Sequence, residues 1–147
     1  MYNNIPYRSF IWNLGTTSFR TKKFNFSNER LLQLLDAFWK KDEFADLGWE
    51  KEFKAPNQKD IYEVKNQFYF FMQREKFVDG NDKTPYKAAR EKTSGLRDLG
   101  LINQNHRLTE VGNVILDISQ NKDYNSDNKL GISKDSYIYL KQLLKLC

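Results

Sequence analysis

The stretch from Thr84 to Leu116, TPYKAAREKTSGLRDLGLINQNHRLTEVGNVIL, leaves few choices of local structure. Thr84 can cap a helix with its hydroxyl, and Pro85 suits the first helical position, where no backbone N–H is needed. The helix runs to Leu99 and stops at Gly100, a natural left-handed C-terminal cap. Leu101-Ile102 and Arg107-Leu108 are short segments that each bear apolar residues, flanking Asn103-Gln104-Asn105-His106, and Asn tolerates the positive φ of a tight turn. Thr109 then caps a second helix, with Glu110 at the positive end of its dipole. Helix, β-turn-β wing and helix form the C-terminal half of a winged helix-turn-helix.

The first of these helices has two faces. At about 100° per residue, Tyr86, Ala89, Thr93, Leu96, Leu99 and Gly100 share one side. Lys87, Arg90, Glu91, Ser94, Arg97 and Asp98 share the other. Arginines and a lysine at helical spacing are how a recognition helix meets the major groove of DNA. A solvated mixed-charge face, with Glu91 and Asp98 as partners, satisfies the same pattern.

Composition narrows the partner classes. The 147 residues, 39% hydrophobic and 29% charged, suit one soluble globular domain with a real core. A net charge of +5 suits a polyanionic partner without requiring one. No apolar run is long enough to span a bilayer. The N-terminal MYNNIPYRSFIWNL lacks the layout of a secretory signal. Cys147 is the single cysteine, which excludes a disulfide framework and a cysteine zinc site; the cytoplasm is the simplest compartment. Aromatic residues reach 15% and concentrate in the first half, where large rings would fill a small core.

Residues 1–26 lack helical periodicity and read as an arm. Within it, Gly15 to Lys23 holds one glycine, four hydroxyls and three cations. Thr16, Thr17, Ser18, Arg20 and Lys22 could therefore meet phosphates, although the spacing is not that of a nucleotide-binding P-loop. Ser27 or Asn28 is expected to cap a helix running to Lys41, with Leu31, Leu34, Leu35 and Phe38 facing the core. Residues 42–59 form a polar connection carrying Trp49, Phe53 and Pro56, with room for one short element. A second helix is expected from about Asp60 to Lys76, followed by a turn at 77–82. Asp60, Glu63 and Lys65 loosely match a nuclease metal motif, but that motif needs the end of a strand. Residues 121–129 read as a polar loop that fails the calcium-loop pattern. Ser133 is expected to cap a last helix whose stripe is Tyr137, Leu140, Leu143 and Leu144, with Asp135 in its first turn. That amphipathic helix reaches the final turn, as in a chain cut from something longer or docked on a partner. His106, the only histidine, falls at the tip of the wing, where a solvated or phosphate-touching role is expected. No catalytic constellation is present.

Taken together, IPYRSFIWNLGTTSFR, the Trp-bearing connection, AREKTSGLRDLGLI, RLTEVGNVIL and DSYIYLKQLLKL resemble, in this order, the N-terminal part of AlwI-type restriction endonucleases. Their relatives include the strand-nicking enzymes of the same type IIS group. The resemblance covers most of the chain. Its best-defined motifs are Arg90-Glu91-Lys92 with Leu99-Gly100-Leu101, and Leu108-Thr109-Glu110-Val111-Gly112. It implies a modular enzyme in which this region recognises double-stranded DNA, while a separate C-terminal part carries a magnesium-dependent nuclease centre. No nuclease motif is present here, so no catalytic residue and no cofactor are expected in this chain.

The expected fold is mainly α with a small β-wing: a winged helix-turn-helix at 27–120 and an extra loop and C-terminal helix at 121–147. Expected DNA contacts are Lys87, Arg90, Ser94, Arg97 and Arg107, with Arg8 and the Thr16 to Lys22 loop in addition. A downstream catalytic domain or a second subunit is a further expected partner; a membrane is not. The competing functions are a winged-helix protein-interaction module and a standalone transcription regulator, for which the last helix is the one candidate dimer interface.

Overall fold

A computed structural model describes residues 24–53, 62–78 and 85–145, and these are mainly helical. Five helices follow in order: α1 (Phe24–Trp39), α2 (Val64–Arg74), α3 (Pro85–Asp98), α4 (Glu110–Asn121) and α5 (Lys134–Leu144). Two short strands, β1 (Glu52–Phe53) and β2 (Tyr62–Glu63), pair antiparallel between α1 and α2, with Glu52 opposite Glu63.

Helix α1 lies at the centre. It packs on α2 and on α4, and α2 packs in turn on α3. The expected Leu31, Leu34, Leu35 and Phe38 are buried, and so are Leu32 and Trp39. The second set follows from the two-sided packing. Phe38 is the hub of the ring cluster: Phe44 stacks on it at 4.5 Å, and Trp39, Phe68 and Phe71 surround it within 5.9 Å. Phe26 and Phe70 are exceptions and stand exposed.

Two helix starts and one buried face differ from the sequence reading. Helix α1 starts at Phe24, not after Ser27 or Asn28, so the division expected at residue 26 falls inside it. Tertiary contacts outweigh the caps: Phe24 packs edge-on against Tyr139, and the Asn25 side chain donates to Asp135 at 3.0 Å and to Ser136 at 2.8 Å. Helix α2 starts at Val64, not near Asp60, because Tyr62 and Glu63 are drawn into the ladder with β1. The Val64 N–H then donates to the Lys51 carbonyl, which extends that pairing. On α5 the buried residues are Asp135, Tyr139 and Gln142, while Tyr137 and Leu140 are half-exposed and Leu144 is 61% exposed. Ser133 does take the N-cap position, but its hydroxyl donates to Ser136 and caps no backbone N–H.

That inward polar face creates a costly site. Glu29 of α1 and Asp135 of α5 are both buried and adjacent. Burial, and then the Asp135 charge, push the Glu29 carboxyl up to about 8, so it holds its proton at neutral pH. Asn28 Nδ2, Glu29 Oε1 and the Tyr139 hydroxyl find no hydrogen-bond partner there. Each such group costs stability that the surrounding packing must offset.

Around α3 and α4 the sequence signals are met. Gly100 sits at φ +73°, Leu101 N–H donates to Leu96 O at 2.8 Å, and Gly100 N–H donates to Arg97 O at 2.9 Å. This is the paired closure of a Schellman cap, with Leu96 and Leu101 both buried beside it. The Thr109 hydroxyl accepts from Gly112 N–H at 3.2 Å and donates to the Gly100 carbonyl at 2.6 Å. One side chain thus closes the end of α3 and the start of α4. Thr84 lies outside the described residues.

Gly112 is required for a steric reason. A Cβ there would collide with the Leu101 backbone carbonyl, which is held in place by the Thr109 N–H donating to it at 3.0 Å. Gly112→Ala is expected to cost more than about 3 kcal/mol in a denaturant or thermal melt. Gly131→Ala, at φ +69° in open space, is expected to cost about 1 kcal/mol.

Candidate nucleic-acid interface

Helix α3 is built to be covered on one side only. Ala89, Thr93, Leu96 and Leu99 are buried, as the spacing required. Lys87, Arg90, Glu91, Lys92 and Arg97 are exposed, and Ser94 is half-buried. Lys87 and Ser94 lie two turns apart on one strip, and Arg90 and Arg97 lie two turns apart beside them. Glu91 flanks the strip and meets the Lys87 ammonium at 4.0 Å, an exposed i,i+4 pair worth a few tenths of a kcal/mol at most. The Ser94 hydroxyl donates to the Glu91 carbonyl at 2.9 Å within the helix. The strip therefore keeps most of its positive charge and is open to water.

The next segment is held more firmly than a turn of Asn and Gln suggests. Ile102 and Leu108 form one antiparallel bridge, and Asn103 N–H donates to Arg107 O at 2.9 Å. The Asn103 side chain accepts from the N–H groups of Asn105 and Arg107, which closes the loop locally. His106 takes φ +60° and turns its ring inward.

Here the structure corrects the sequence reading. His106 is neither solvated nor free for phosphate, for it is 1% exposed. Its ring stacks on Trp49 at 3.9 Å and 10°, and Nε2 lies 3.0 Å from the Thr93 hydroxyl on α3. Burial, aided by the Arg97 charge, pulls the imidazole down to about 4, so it is neutral at pH 7. Arg107 was expected on DNA, yet its guanidinium lies 4.1 Å over the Trp39 ring and donates to the carbonyls of Ala45 and Leu47 at 2.6 and 3.0 Å. Trp39 Nε1 in turn donates to the His106 carbonyl at 2.8 Å. Two tryptophans and one arginine thus fasten the hairpin to the turn after α1. Nothing local announces this, because the rings that cover His106 come from the first half of the chain. The nearest signal was Trp49 itself, a large ring stranded in a polar connection.

Lys87, Arg90, Ser94 and Arg97 come together on α3, and Arg107 joins the hairpin anchor. Arg8, Thr16, Thr17, Ser18, Arg20 and Lys22 lie outside the described residues, as does Asp60. Lys65 is engaged by Glu50 at 2.6 Å and by Glu63 at 3.5 Å. Among the described residues no group of three or more His, Cys, Asp or Glu could hold a metal ion, and no helix is long and apolar enough to cross a membrane. No family model, curated protein or solved structure matches the chain.

Two buried groups set opposite pH dependences. Folding disfavours charge on Glu29, so its contribution declines as pH rises from 4.5 to about 8. Folding also disfavours charge on His106, so its contribution declines as pH falls from 6.5 to about 4. Between 4.5 and 6.5 the two slopes cancel. In melts across this range, Glu29→Gln is expected to gain on the wild type by about 1.4 kcal/mol per pH unit up to about pH 8. Parallel curves for the two proteins would mean that Glu29 ionises normally in the fold.

Proposed function

We propose that this chain is a winged helix-turn-helix DNA-recognition module, with α2 and α3 as the helix-turn-helix and the 101–109 hairpin as a minimal wing. The observation that carries the reading is the strip of exposed Lys87, Arg90 and Arg97, with half-buried Ser94 among them, on a helix whose other face is buried against α2. A helix covered on one face and basic on the other has the shape and charge to enter a major groove. Lysines would anchor to phosphates and set the register, while an arginine would read guanine O6 and N7. The hairpin follows α3 directly and is clamped to it through His106 and Thr93, so both would approach the duplex as one rigid unit. A rigid reader loses little conformational entropy on binding.

The sequence resemblance to AlwI-type endonucleases suggests the setting: recognition of a short double-stranded site in the cytoplasm, as the DNA-reading part of a type IIS restriction or nicking enzyme whose magnesium-dependent cutting centre lies elsewhere. The Arg8 and Thr16–Lys22 segment would add phosphate contacts.

The test is a titration against a random-sequence duplex pool at two salt concentrations, with the bound fraction sequenced. The expected result is enrichment of a short motif, with affinity falling steeply as salt rises. Arg90→Ala is expected to weaken binding to the enriched site by about 1–3 kcal/mol while sparing non-specific binding. Equal losses on both would reduce Arg90 to a phosphate contact. Absence of binding even at low salt would overturn the DNA reading.

A further inference from the structure

Helices α4 and α5 leave an open groove of about 600 Å³ between them, floored by Val111, Val114, Ile138 and Leu144. Val114 is 45% exposed and Leu144 is 61% exposed. These are large apolar groups on ordered helices, and together they are the kind of patch that marks a contact surface. The groove plays no part in the DNA reading above.

The charges along its two sides are what identify an occupant. On α4, Glu110 and Asp117 stand exposed, and helical spacing places both beside Val114. On α5, Lys141 and Lys145 line the groove itself and are exposed. Among the described residues none of these four charges has an oppositely charged partner. The Lys145 ammonium donates to the neutral Gln142 side chain, and the Lys141 ammonium lies over the Tyr137 ring. The basic side thus lines the groove itself, the acidic pair stands on the exposed face of α4 beside Val114, and apolar side chains lie between them.

A partner chain of uniform charge would be attracted by one wall and repelled by the other. The surface complementary to an acidic–apolar–basic strip is a strip in the reverse order. A two-fold rotation of the strip about its own centre supplies that surface. We propose that the α4–α5 face is the self-association surface of this protein, joining two copies through a two-fold axis. In the pair, Leu144 of each copy enters the other's groove beside Val111 and Val114, and Lys141 and Lys145 of each copy face Glu110 and Asp117 of the other. The two helices present a face only roughly 17 Å long, from their 1.5 Å rise per residue. That is at the small end of specific interfaces, so the dimer is expected to be weak and to depend on protein concentration.

Sedimentation velocity under reducing conditions, without DNA, tests this independently of the proposed function. The wild type is expected to shift from monomer to dimer as its concentration rises through the micromolar range. Glu110→Lys with Asp117→Lys, and separately Lys141→Glu with Lys145→Glu, are each expected to weaken self-association at least about tenfold. Mixing these two variants in equal amounts is expected to restore a dimer, because each then meets its opposite. Circular dichroism identifies any variant that fails to fold. Leu144→Gln, at a side chain already exposed, gives a second route to the monomer. A wild type that stays monomeric into the hundreds of micromolar, variants that dimerise unchanged, or a mixture that does not recover the dimer would each overturn the proposal. The first of these outcomes would assign the groove to a different chain.

Discussion

The stack of His106 on Trp49 is the contact on which the second half of the molecule depends. A hairpin with one backbone bridge cannot hold itself in water. This one holds because its tip is buried in the first half of the chain. The His106 ring covers Trp49, its carbonyl accepts from Trp39, and Arg107 reaches the carbonyls of Ala45 and Leu47. The same imidazole touches Thr93, whose hydroxyl also lies 2.8 Å from the Ala89 carbonyl inside α3. The hairpin, the turn after α1 and the middle of α3 are thus tied at one point. That arrangement works only while His106 is neutral, since a charged imidazole stacked on indole and buried near Arg97 would be poorly solvated.

What the sequence made legible follows from the range of each signal. Local rules held where the structure is local. Pro85 opens α3, Gly100 closes it, Thr109 caps α4, and the inner face of α3 is the one that helical spacing selects. They failed where a partner distant in sequence competes. The Ser27 and Asn28 caps lost to Phe24 and Asn25 reaching α5, and the first turn expected for α2 lost to pairing with β1. The strands at 52–53 and 62–63 are two residues each, too short for an alternating pattern to register. For the candidate interface, the strip on α3 was readable from spacing alone, whereas the inward roles of His106 and Arg107 depend on rings that no local window contains.

Helix α5 shows the same division in its most instructive form. Hydrophobic periodicity selected Tyr137, Leu140, Leu143 and Leu144 as the buried stripe. The fold buries Asp135, Tyr139 and Gln142 instead, and of the expected stripe Leu143 packs against the core while Leu144 stands exposed. Hydrogen bonding explains the choice better than apolar area does. Asn25 needs Asp135 and Ser136, and the Leu99 carbonyl at the end of α3 needs a donor, which Gln142 supplies at 2.8 Å. A buried helix end without such a partner would carry an open carbonyl. Turning Asp135 and Gln142 inward beside Tyr139 leaves Leu144 outward on α5, next to the groove shared with α4.

Gln142 also connects the two surfaces of the molecule. Its amide closes the C-terminus of α3, and its side chain lines the groove between α4 and α5. Close by, a Cβ added at Gly100 would sit 3.2 Å from the same amide nitrogen. A chain docking in the groove would press on a residue that holds the end of the basic helix. A change in that clamp would act on the turn carrying Arg97, while the turn carrying Lys87 would feel it only through the rigid length of α3. Any coupling between groove and strip should therefore be strongest at the Arg97 end, which is also the end fastened to the hairpin.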